Sequence, residues 1–312
     1  MSEGGPALSL VIPLYNEAES LEELHTALTA VLRPYGDRCE VIYVDDGSTD
    51  GSFDCLKKLR DADPRVTIIR LRCNQGKTVA LVAGFREARG EVVITMDADL
   101  QDDPLEIPRL LGRLEEGYDL VSGWKVNRQD PWSRRVLSRL FNAVTSRVTG
   151  VNLHDLNCGF KAYRRAVIAE LRLQGDLHRF IPVLAGGRGF RVAEVEVRHH
   201  PRRYGRSKYG AARITRGFFD LLTVLLLTRY TTRPLHLFGL GGALLGAVGV
   251  GIVGYLSVGW LLGEWIGGRP LFLLAVLMVV GGLQLVSLGL LAEMIVYGSN
   301  PESPPPIDRV LK

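Results

Sequence analysis

The segment EVVITMDADLQ, residues 91–101, places two carboxylates and an amide directly after a run of strand-forming residues. Successive side chains of an extended strand point to opposite faces, but at a bend between strand and loop Asp97 and Asp99 can converge. Carboxylate and amide oxygens are ligands that Mg²⁺ or Mn²⁺ shares with phosphate groups. The alternative is an Asp-rich turn whose side chains cap the backbone. The segment therefore predicts a strand end and, as one of two interpretations, a divalent-metal site.

Around this segment, the chain up to residue 123 alternates short β-rich runs with helical patterns. The predicted strands are 8–14, 40–44, 66–71, 91–96 and 119–122. The predicted helices are 19–32, 52–60, 78–89 and 105–115. Apolar strands separated by crossover helices predict an open, mostly parallel α/β sheet. In such sheets, ligands bind beyond the carboxyl ends of the strands.

Polar residues follow the carboxyl end of each predicted strand. Four of them, Asp45, Asp46, Asp97 and Asp99, are acidic and would repel one another at one sheet edge in the absence of cations. The other segments at this edge are Tyr15-Asn16-Glu17, Arg72-Cys73-Asn74 and Gly123-Trp124-Lys125. Taken singly, Asp46, Ser48 and Asp50 have the alternative of cap or turn residues. The crowded carboxylates favour a site for a metal ion and a nucleotide.

Two long segments near the C-terminus carry no charged residue, namely 238–262 and 271–292. Each is long enough to cross about 30 Å of hydrocarbon as a helix. A buried core helix of a soluble protein is the alternative, although such helices are usually shorter. Glycines recur in both segments and permit close contact between helices. The pattern predicts two transmembrane helices that form a tight hairpin.

Basic residues are concentrated in two regions. Residues 124–149 hold six basic residues and one acidic residue, and residues 198–216 hold seven basic residues and no acidic one. Nucleic acid is one partner for such patches, but beside membrane spans they are more typical of contacts with lipid headgroups or a phosphate-bearing substrate. Helical spacing of apolar positions predicts an interfacial helix at 131–149, with a core-facing helix as the alternative. A juxtamembrane helix is predicted at 211–233.

The distribution of charge also predicts the orientation in the membrane. Several arginines precede the first span, whereas the link 263–270 carries one acidic and one basic residue. The positive-inside rule therefore places the large N-terminal region and both termini in the cytoplasm. Residues 1–20 lack a basic n-region, so no signal peptide is expected. The four cysteines are widely scattered, which predicts reduced thiols without metal or redox spacing.

Several ordered sequence blocks occur together in this chain. They are VIPLYNE (11–17), VDDGSTD (44–50), NQGK (74–77), MDADLQ (96–101), DLNCGFK (155–161) and RYGRSKY (203–209). Together they resemble family 2 glycosyltransferases of the polyprenyl-phosphate glycosyltransferase type, which are relatives of dolichol-phosphate mannose synthase. The two-span tail is similar to the bacterial branch of that family. The resemblance implies an α/β fold with a GT-A nucleotide-diphospho-sugar transferase domain, amphipathic juxtamembrane helices and a transmembrane hairpin.

The resemblance also implies roles for particular residues. It implies a nucleotide site at Pro13, Tyr15, Glu17, Asp46, Lys77 and Asp97. It implies Mg²⁺ or Mn²⁺ ligands at Asp97, Asp99 and Gln101. It implies acceptor-phosphate ligands at Lys125, Arg134, Ser138 and Ser207. Arg203 and Lys208 would close over the diphosphate and form the catalytic set with Asp97 and Asp99.

The chain departs from the family pattern at two places. Lys125 stands where the family often has arginine, and lysine neutralises a phosphate as a point charge without the bidentate fork. Asp102 and Asp103 follow Gln101, where relatives commonly show one acidic or histidine residue and then prolines. No catalytic role is expected for either aspartate.

The function implied by the resemblance is inverting transfer of a single sugar from a nucleotide sugar to polyprenyl phosphate. UDP-glucose, a related UDP-sugar and GDP-mannose are the donors considered. A polyprenyl monophosphate is largely dianionic at pH 7, so no protein base is expected. A processive or protein-directed family 2 transferase is one alternative, but its usual Gln-x-x-Arg-Trp motif does not occur in the sequence. A non-catalytic membrane scaffold that senses nucleotide sugar is another, and the intact Asp97, Asp99 and Gln101 argue against it.

The expected organisation follows from these segments. A cytoplasmic catalytic domain spans 1–210, a juxtamembrane helix 211–233, two membrane helices 234–297 and a cytoplasmic tail 298–312. The expected location is the inner (plasma) membrane. The expected partners are nucleotide sugar, polyprenyl phosphate and the membrane, and nucleic acid is not expected. Homo-oligomerisation through the hairpin, a downstream flippase and a lipid-sugar-dependent transferase are compatible with this function.

Overall fold

The computed structural model describes residues 6–126, 153–156, 158–171, 173, 177–201, 203, 234–263, 265 and 270–298. The chain divides into two compact units, Met1–Val224 and Leu225–Lys312. The predicted helices at 131–149 and 211–233, and the predicted ligands Arg134, Ser138, Ser207 and Lys208, lie outside the described residues.

The first unit is built on one seven-stranded sheet with the strand order β3-β2-β1-β4-β6-β5-β7. The strands are β1 (Leu8–Leu14), β2 (Cys39–Asp45), β3 (Val66–Arg70), β4 (Val92–Thr95), β5 (Leu120–Trp124), β6 (Lys161–Arg164) and β7 (Val192–Glu196). Every neighbouring pair is parallel except the two pairs that β6 makes, with β4 and with β5. The predicted mostly parallel α/β sheet is confirmed.

Helices connect the strands and cover both faces of the sheet. They are α1 (Leu21–Leu32), α2 (Ser52–Ala62), α3 (Lys77–Glu87), α4 (Ile107–Glu115), α5 (Arg165–Glu170) and α6 (Ile181–Gly187). Short 3₁₀ turns occupy Arg33–Arg38, Pro104–Glu106 and Leu177–Phe180. All five strands and four helices predicted in the first 123 residues are present, with boundaries that differ by a few residues.

The apolar core explains why the central strands are continuous hydrophobic runs. Every residue of β1 and β2 is buried, because helices pack on both faces of a parallel sheet. Helix α1 buries Leu21, Leu24, Leu28 and Leu32, which lie on one face at helical spacing. Each fully buried leucine contributes about 1.5–3 kcal/mol relative to an exposed one. This packing fixes the strand ends that carry the polar residues.

The second unit contains two long helices, α7 (Pro234–Leu261) and α8 (Pro270–Gly298), which pack against each other in antiparallel orientation. A Cβ added at Gly242 would lie 2.6 Å from the carbonyl oxygen of Gly282, so the two backbones meet at these glycines. At one end of the hairpin, the backbone N–H of Leu235 donates to Glu293 Oε2 at 3.0 Å. This contact gives one of the first, otherwise unpaired, amides of α7 a partner.

Both helices of the second unit are long and apolar enough to cross a membrane, and only 11% of the most apolar stretch of each is buried within the chain. A core helix of a soluble protein would be mostly buried. Large apolar side chains such as Leu244, Tyr255, Leu277 and Leu291 are instead exposed along both helices. The predicted pair of apolar helices is thus present as a hairpin.

Candidate active site

The loops that follow β1 and β2 are tied together by short polar contacts. Ser48 Oγ accepts from the backbone N–H of Asn16 at 2.9 Å, and Asn16 Oδ1 accepts from the N–H of Thr49 at 2.8 Å. The backbone N–H of Glu17 donates to Ser52 Oγ at 2.9 Å. Asn16 adopts φ 54°, a conformation that asparagine tolerates better than most residues. Tyr15 and Glu17, two predicted nucleotide ligands, stand half-buried on this joined loop.

The two aspartates at the end of β2 accept hydrogen bonds from backbone N–H groups. Asp45 Oδ1 accepts from the N–H of Ser48 at 2.8 Å, which closes the turn. Asp46 Oδ1 and Oδ2 accept from the N–H groups of Gln75 and Gly76 at 2.7 and 2.8 Å. Asp46 is therefore buried and organises the loop before α3. The cap-and-turn interpretation describes these contacts, and the predicted contact of Asp46 with a nucleotide stays a prediction.

Asp50 also accepts a hydrogen bond from the loop that follows β1. It accepts from the N–H of Ser52 at 2.9 Å and from the N–H of Ala18 at 3.2 Å. Burial alone would raise the pKa of this carboxyl, but the hydrogen bonds from Ser52 and Ala18 outweigh it and lower the pKa below its ordinary value. The carboxylate thus stays ionised and holds two loops of the edge together.

Gly47 allows two loops of the edge to touch. Its φ is +70°, in the left-handed region, and an added Cβ would lie 2.6 Å from the carbonyl carbon of Cys73. A side chain here would meet both backbone strain and a rigid neighbour. The loops after β2 and β3 can approach each other this closely only because this residue is glycine.

The predicted metal motif lies at the end of β4. Asp97 Oδ1 accepts an ion-paired hydrogen bond from Lys77 Nζ, and both side chains are partly exposed. The Asp97 carboxylate also packs on Gly159, where an added Cβ would lie 2.7 Å from Oδ2. Asp99 Oδ1 accepts from the N–H of Gln101 at 3.2 Å, and the chain between them turns at Leu100 with φ 59°. The two carboxylates remain accessible at the sheet edge.

These residues fit a metal ion that is shared with a substrate. Among the described residues, no group of three or more His, Cys, Asp or Glu side chains is arranged to hold a metal by itself. Mg²⁺ is commonly bound by one or two carboxylates together with substrate phosphates. Asp97 and Asp99, with the amide of Gln101, supply such an incomplete set of hard oxygen ligands.

Lys125 stands at the carboxyl end of β5, as predicted, but its ammonium already has a carboxylate partner. Lys125 Nζ lies 2.7 Å from Asp102 Oδ1, and the two side chains are 10% and 0% exposed. His199 Nδ1 lies 3.7 Å from the same oxygen. Burial would raise the pKa of Asp102, but Lys125 and His199 outweigh it and hold the pKa well below the usual range. The predicted contact of Lys125 with acceptor phosphate stays a prediction.

Asp102 and Asp103 directly follow the predicted metal ligands, and this part of the loop contacts the segment after β7. Asp102 and His199 form an isolated antiparallel bridge, and the N–H of His200 donates to the carbonyl of Gln101 at 2.8 Å. Asp103 Oδ1 accepts from the N–H of Leu105 at 3.0 Å and so caps the following turn. These aspartates hold the loop that carries Gln101. The expectation that neither has a catalytic role stays a prediction.

The structure pairs Arg203 with an acidic side chain of α1. Arg203 Nη1 donates to Glu23 Oε1 at 2.6 Å, and both side chains are exposed. Glu23 belongs to α1, on which no predicted site residue lies. The expected closure of Arg203 over a diphosphate therefore requires that this exposed pair be broken.

A cluster of basic residues beside Asp97 was not anticipated from the sequence. It lines a small, partly open cavity of about 10 Å³, which has room for about one water. Lys77, Lys161, His178 and Arg179 contribute the basic side chains, and none of the lining residues within the described part of the chain is acidic. The available signal was a lysine inside the short apolar run from Phe160 to Tyr163.

Burial lowers the pKa of two members of this cluster. Lys161 is 3% exposed, and burial lowers the pKa of its ammonium. His178 Nδ1 lies 2.7 Å from Thr78 Oγ1. Burial, with the neighbouring charges of Lys77 and Arg179, lowers the pKa of His178 to about 2, so this imidazole is neutral at physiological pH.

Comparison with known proteins gives the family. The family model described as "Glycosyl transferase family 2" matches residues 9–172. The chain belongs to glycosyltransferase family 2. The matched region of this family 2 glycosyltransferase begins in β1 and ends just after α5, and so includes the whole carboxyl edge up to the metal motif.

Similar full-length proteins extend beyond that region. Dodecaprenyl-phosphate galacturonate synthase from Rhizobium johnstonii is 40% identical over 294 residues, which cover 92% of this chain and 87% of the relative. Undecaprenyl-phosphate 4-deoxy-4-formamido-L-arabinose transferase from Pseudomonas fluorescens is 41% identical over 291 residues, which cover 92% and 84%. The predicted resemblance to polyprenyl-phosphate glycosyltransferases is confirmed.

Solved structures confirm the fold of this family 2 glycosyltransferase. Glucosyl-3-phosphoglycerate synthase from Mycobacterium tuberculosis, in complex with phosphoglyceric acid, superposes with a TM-score of 0.56 at 21% identity, covering 71% of this chain and 80% of that one. The same enzyme in complex with Mg²⁺ and uridine diphosphate gives a TM-score of 0.56. At this identity the likeness concerns the GT-A fold alone.

Proposed function

We propose that this protein transfers a single sugar, with inversion, from a nucleotide sugar to polyprenyl phosphate at the cytoplasmic face of the inner membrane. The observation that carries the proposal is the similarity to two kinds of polyprenyl-phosphate sugar transferase over 92% of the chain. This similarity extends well past the family segment 9–172. A soluble acceptor would not require the long apolar hairpin that follows the catalytic unit.

The chemistry needs no general base from the protein. A phosphate monoester has a second pKa of about 6, so the acceptor oxygen is already anionic at pH 7. The task of the chain is to align that oxygen behind the anomeric carbon and to offset repulsion between the two phosphate-bearing substrates. A single in-line displacement then inverts the anomeric centre.

The metal proposal rests on the partly exposed carboxylates of Asp97 and Asp99, with Gln101 beside them. These residues would hold Mg²⁺ or Mn²⁺ together with the donor diphosphate. When bound, the metal neutralises charge that develops on the leaving diphosphate. Lys77 is already paired with Asp97 and would add a positive charge near the same phosphates.

The remaining roles are carried over from the family resemblance. Pro13, Tyr15, Glu17 and Asp46 would border the nucleoside, and Lys125, Arg134, Ser138 and Ser207 the acceptor phosphate. Arg203 and Lys208 would cover the diphosphate once the Arg203–Glu23 pair is broken. The basic segments around these residues would lie at the height of lipid phosphates.

The names of the relatives do not point to UDP-glucose or GDP-mannose as donor. They name galacturonate and 4-deoxy-4-formamido-L-arabinose, so the transferred sugar differs among proteins of about 40% identity. Overall similarity therefore supports the reaction and the lipid acceptor, but it does not indicate one particular sugar.

The test is a transfer assay with the purified full-length protein in lipid nanodiscs that contain undecaprenyl phosphate. Nucleotide sugars are offered singly with Mn²⁺, and lipid products are identified by mass. We expect one added sugar per lipid and no product on undecaprenol, which lacks the phosphate. A ladder of products would favour the processive alternative. The absence of a lipid-linked product with every donor would refute the proposal.

A further inference from the structure

Three parts of the chain meet at the buried carboxylate of Asp102. Lys125, just after β5, forms an ion pair with Asp102 Oδ1, and the Asp102 side chain is buried completely and that of Lys125 nearly so. His199, after β7, lies with its Nδ1 3.7 Å from the same oxygen. Asp102 itself belongs to the loop of residues 97–103, here called the metal loop, one residue beyond the predicted metal ligand Gln101. A single carboxylate thus joins the end of β5 and the segment after β7 to the metal loop.

The ion pair leaves the Lys125 ammonium poorly placed to bind a phosphate. Within the described part of the chain, Asp102 is the carboxylate that pairs with it. If the Lys125 Nζ moved to a substrate phosphate, Asp102 would stay buried without that counter-charge, which is strongly unfavourable. Lys77, by contrast, is partly exposed and pairs with the partly exposed Asp97. The charge of Lys125 therefore acts on Asp102 and, through it, on the metal loop.

The backbone of the metal loop needs support from neighbouring parts of the chain. Leu100, directly before Gln101, has φ 59°, a left-handed conformation that is unfavourable for leucine. Such a conformation persists only where the surrounding structure holds it. The N–H of His200 donates to the carbonyl of Gln101 at 2.8 Å. A neighbouring antiparallel bridge joins Asp102 to His199. The segment after β7 therefore supports the strained turn of the metal loop.

The same segment orients the side chain of Gln101. Its Nε2 lies 3.5 Å from the carbonyl oxygen of His200. Because the amide nitrogen faces this carbonyl, the other amide atom, Oε1, is the one that would bind a metal ion. The position of Oε1 therefore depends on how the segment after β7 lies against the metal loop, and Asp102 joins these two parts.

We propose that Lys125 is a positioning residue for the metal site, which through Asp102 holds Gln101 where a metal ion shared with the donor diphosphate can bind. This inference rests on the proposed function, which takes Gln101 as a metal ligand. For Lys125, it replaces the contact with acceptor phosphate that the family resemblance implies. Groups that hold metal ligands in place commonly contribute about 10- to 100-fold to metal affinity.

The first test measures amide hydrogen exchange in the full-length protein in detergent, without metal. Lys125→Met should raise exchange in peptides that cover 99–103 and 198–201, because the ion pair that joins these segments is lost. The control Glu40→Gln alters another buried carboxylate, which pairs with Arg89 and lies near the amino end of β2. It should leave exchange in both peptides nearly unchanged. Unchanged exchange in Lys125→Met, or an equal rise in both variants, would overturn the inference.

The second test measures the affinity for Mn²⁺ by electron paramagnetic resonance, with UDP and GDP added in turn. Lys125→Met and Asp102→Asn should each weaken Mn²⁺ binding at least ~10-fold. The double variant should lose no more than the weaker single variant, because both substitutions break one contact. Lys125→Arg should retain most of the affinity, since it keeps the charge. Additive losses, or wild-type affinity in Lys125→Met, would overturn the inference. If a single variant does not fold, the double variant, which leaves no unpaired buried charge, is judged by the same ~10-fold criterion.

The transfer assay then separates positioning from direct contact with the acceptor. In Lys125→Met, turnover should fall at low Mn²⁺ and largely recover at high Mn²⁺, whereas the apparent KM for polyprenyl phosphate should stay nearly unchanged. A raised KM for polyprenyl phosphate with unchanged Mn²⁺ affinity would show that Lys125 contacts the acceptor, and would overturn the inference.

The inference and the proposed function fail in different ways. If Lys125→Met binds Mn²⁺ more weakly than the wild type but no donor gives a lipid product, the transferase is refuted and the positioning role stands. If a lipid product forms and Lys125→Met leaves Mn²⁺ affinity unchanged, the positioning role is refuted and the transferase stands. A wild type that binds no Mn²⁺ with either nucleotide would refute the metal proposal and this inference together.

Discussion

Lys125 Nζ lies 2.7 Å from Asp102 Oδ1, and neither side chain is more than 10% exposed. This ion pair joins the end of β5 to the loop that follows the metal motif. Because both charges are removed from water, each depends on the other far more than in a surface pair. The pair therefore fixes the position of the loop from Gln101 to Asp103.

Removing one charge of this pair should destabilise the catalytic unit. In Asp102→Asn, the Lys125 ammonium stays buried without its counter-charge, which typically costs about 3–5 kcal/mol. We expect the thermal midpoint of the full-length protein in detergent to fall by roughly 6–20 °C. The matched control is Asp54→Asn, which breaks the exposed Asp54–Lys57 pair and should leave the midpoint nearly unchanged. Equal effects of the two substitutions would show that the buried pair is not structurally important.

The neutral, buried His178 should make stability depend on pH. Its pKa is lowered from 6.5 to about 2 in the folded chain, so below pH 6.5 only the unfolded chain gains a proton. The contribution of His178 to the free energy of unfolding is thus fully present above pH 6.5. It falls as the pH decreases, by about 2 kcal/mol between pH 7 and pH 5. His178→Gln should lose that part of the slope when midpoints are measured across this range. His154→Gln, which changes a histidine with a 69% exposed side chain, should retain it. Parallel slopes for the wild type and both variants would contradict the expectation.

The metal proposal predicts that transfer depends on Asp99. Chelation with EDTA should abolish product formation, and added Mn²⁺ should restore it. Asp99→Ala should lower turnover by at least ~10²-fold, since metal-centred charge stabilisation is worth several kcal/mol. Nucleotide sugar should raise the thermal midpoint only when metal is present. Asp61→Ala, at an exposed position of α2, is the control. Near-wild-type turnover of Asp99→Ala would rule out the metal site.

The acceptor proposal predicts a selective effect of Arg134. Arg134 and Ser138 are spaced by one helical turn, so in the predicted helix they share a face. Arg134→Ala should raise the apparent KM for polyprenyl phosphate much more than that for the nucleotide sugar. Arg33→Ala, which removes an exposed arginine, should change neither constant. Equal increases for both substrates, or efficient glycosylation of a soluble protein, would count against a lipid acceptor.

The hairpin and the flanking charges predict the topology. Reporters fused after Lys312 should be active only if they function in the cytoplasm, and a tag inserted at Gly267 should be labelled from outside intact cells. A tag at Gly36, in the catalytic unit, should be protected under the same conditions. Labelling of the Gly267 tag only after the membrane is opened would refute the arrangement.

The parts of the fold that could be predicted are those with a local physical cause. Leu8–Leu14 is recognisable as a strand because burial on both faces demands a continuous apolar run. Strand β6, with only four residues and a charged residue at each end, has no such signal. Its place between β4 and β5 depends on pairing with residues about 40 to 70 positions earlier in the chain.

The same distinction applies to the candidate site. The carboxylates at the end of β4 stand out because they follow an apolar strand directly. The pairing of Asp102 with Lys125 and the joining of Lys77, Lys161 and His178 in one cavity depend on the order of strands in the sheet. Contacts between residues that lie far apart in sequence leave no local pattern from which they could be predicted. The sequence blocks therefore indicated the reaction, whereas the ion pairs and buried basic groups around the site became visible only in the structure.

The contact between Gly159 and Asp97 has a consequence for how this enzyme can change. An added Cβ at residue 159 would lie 2.7 Å from Asp97 Oδ2, so every substitution there competes with the carboxylate for space. Any side chain introduced at position 159 must therefore shift the Asp97 carboxylate, so sequence change at this glycine acts directly on a predicted metal ligand.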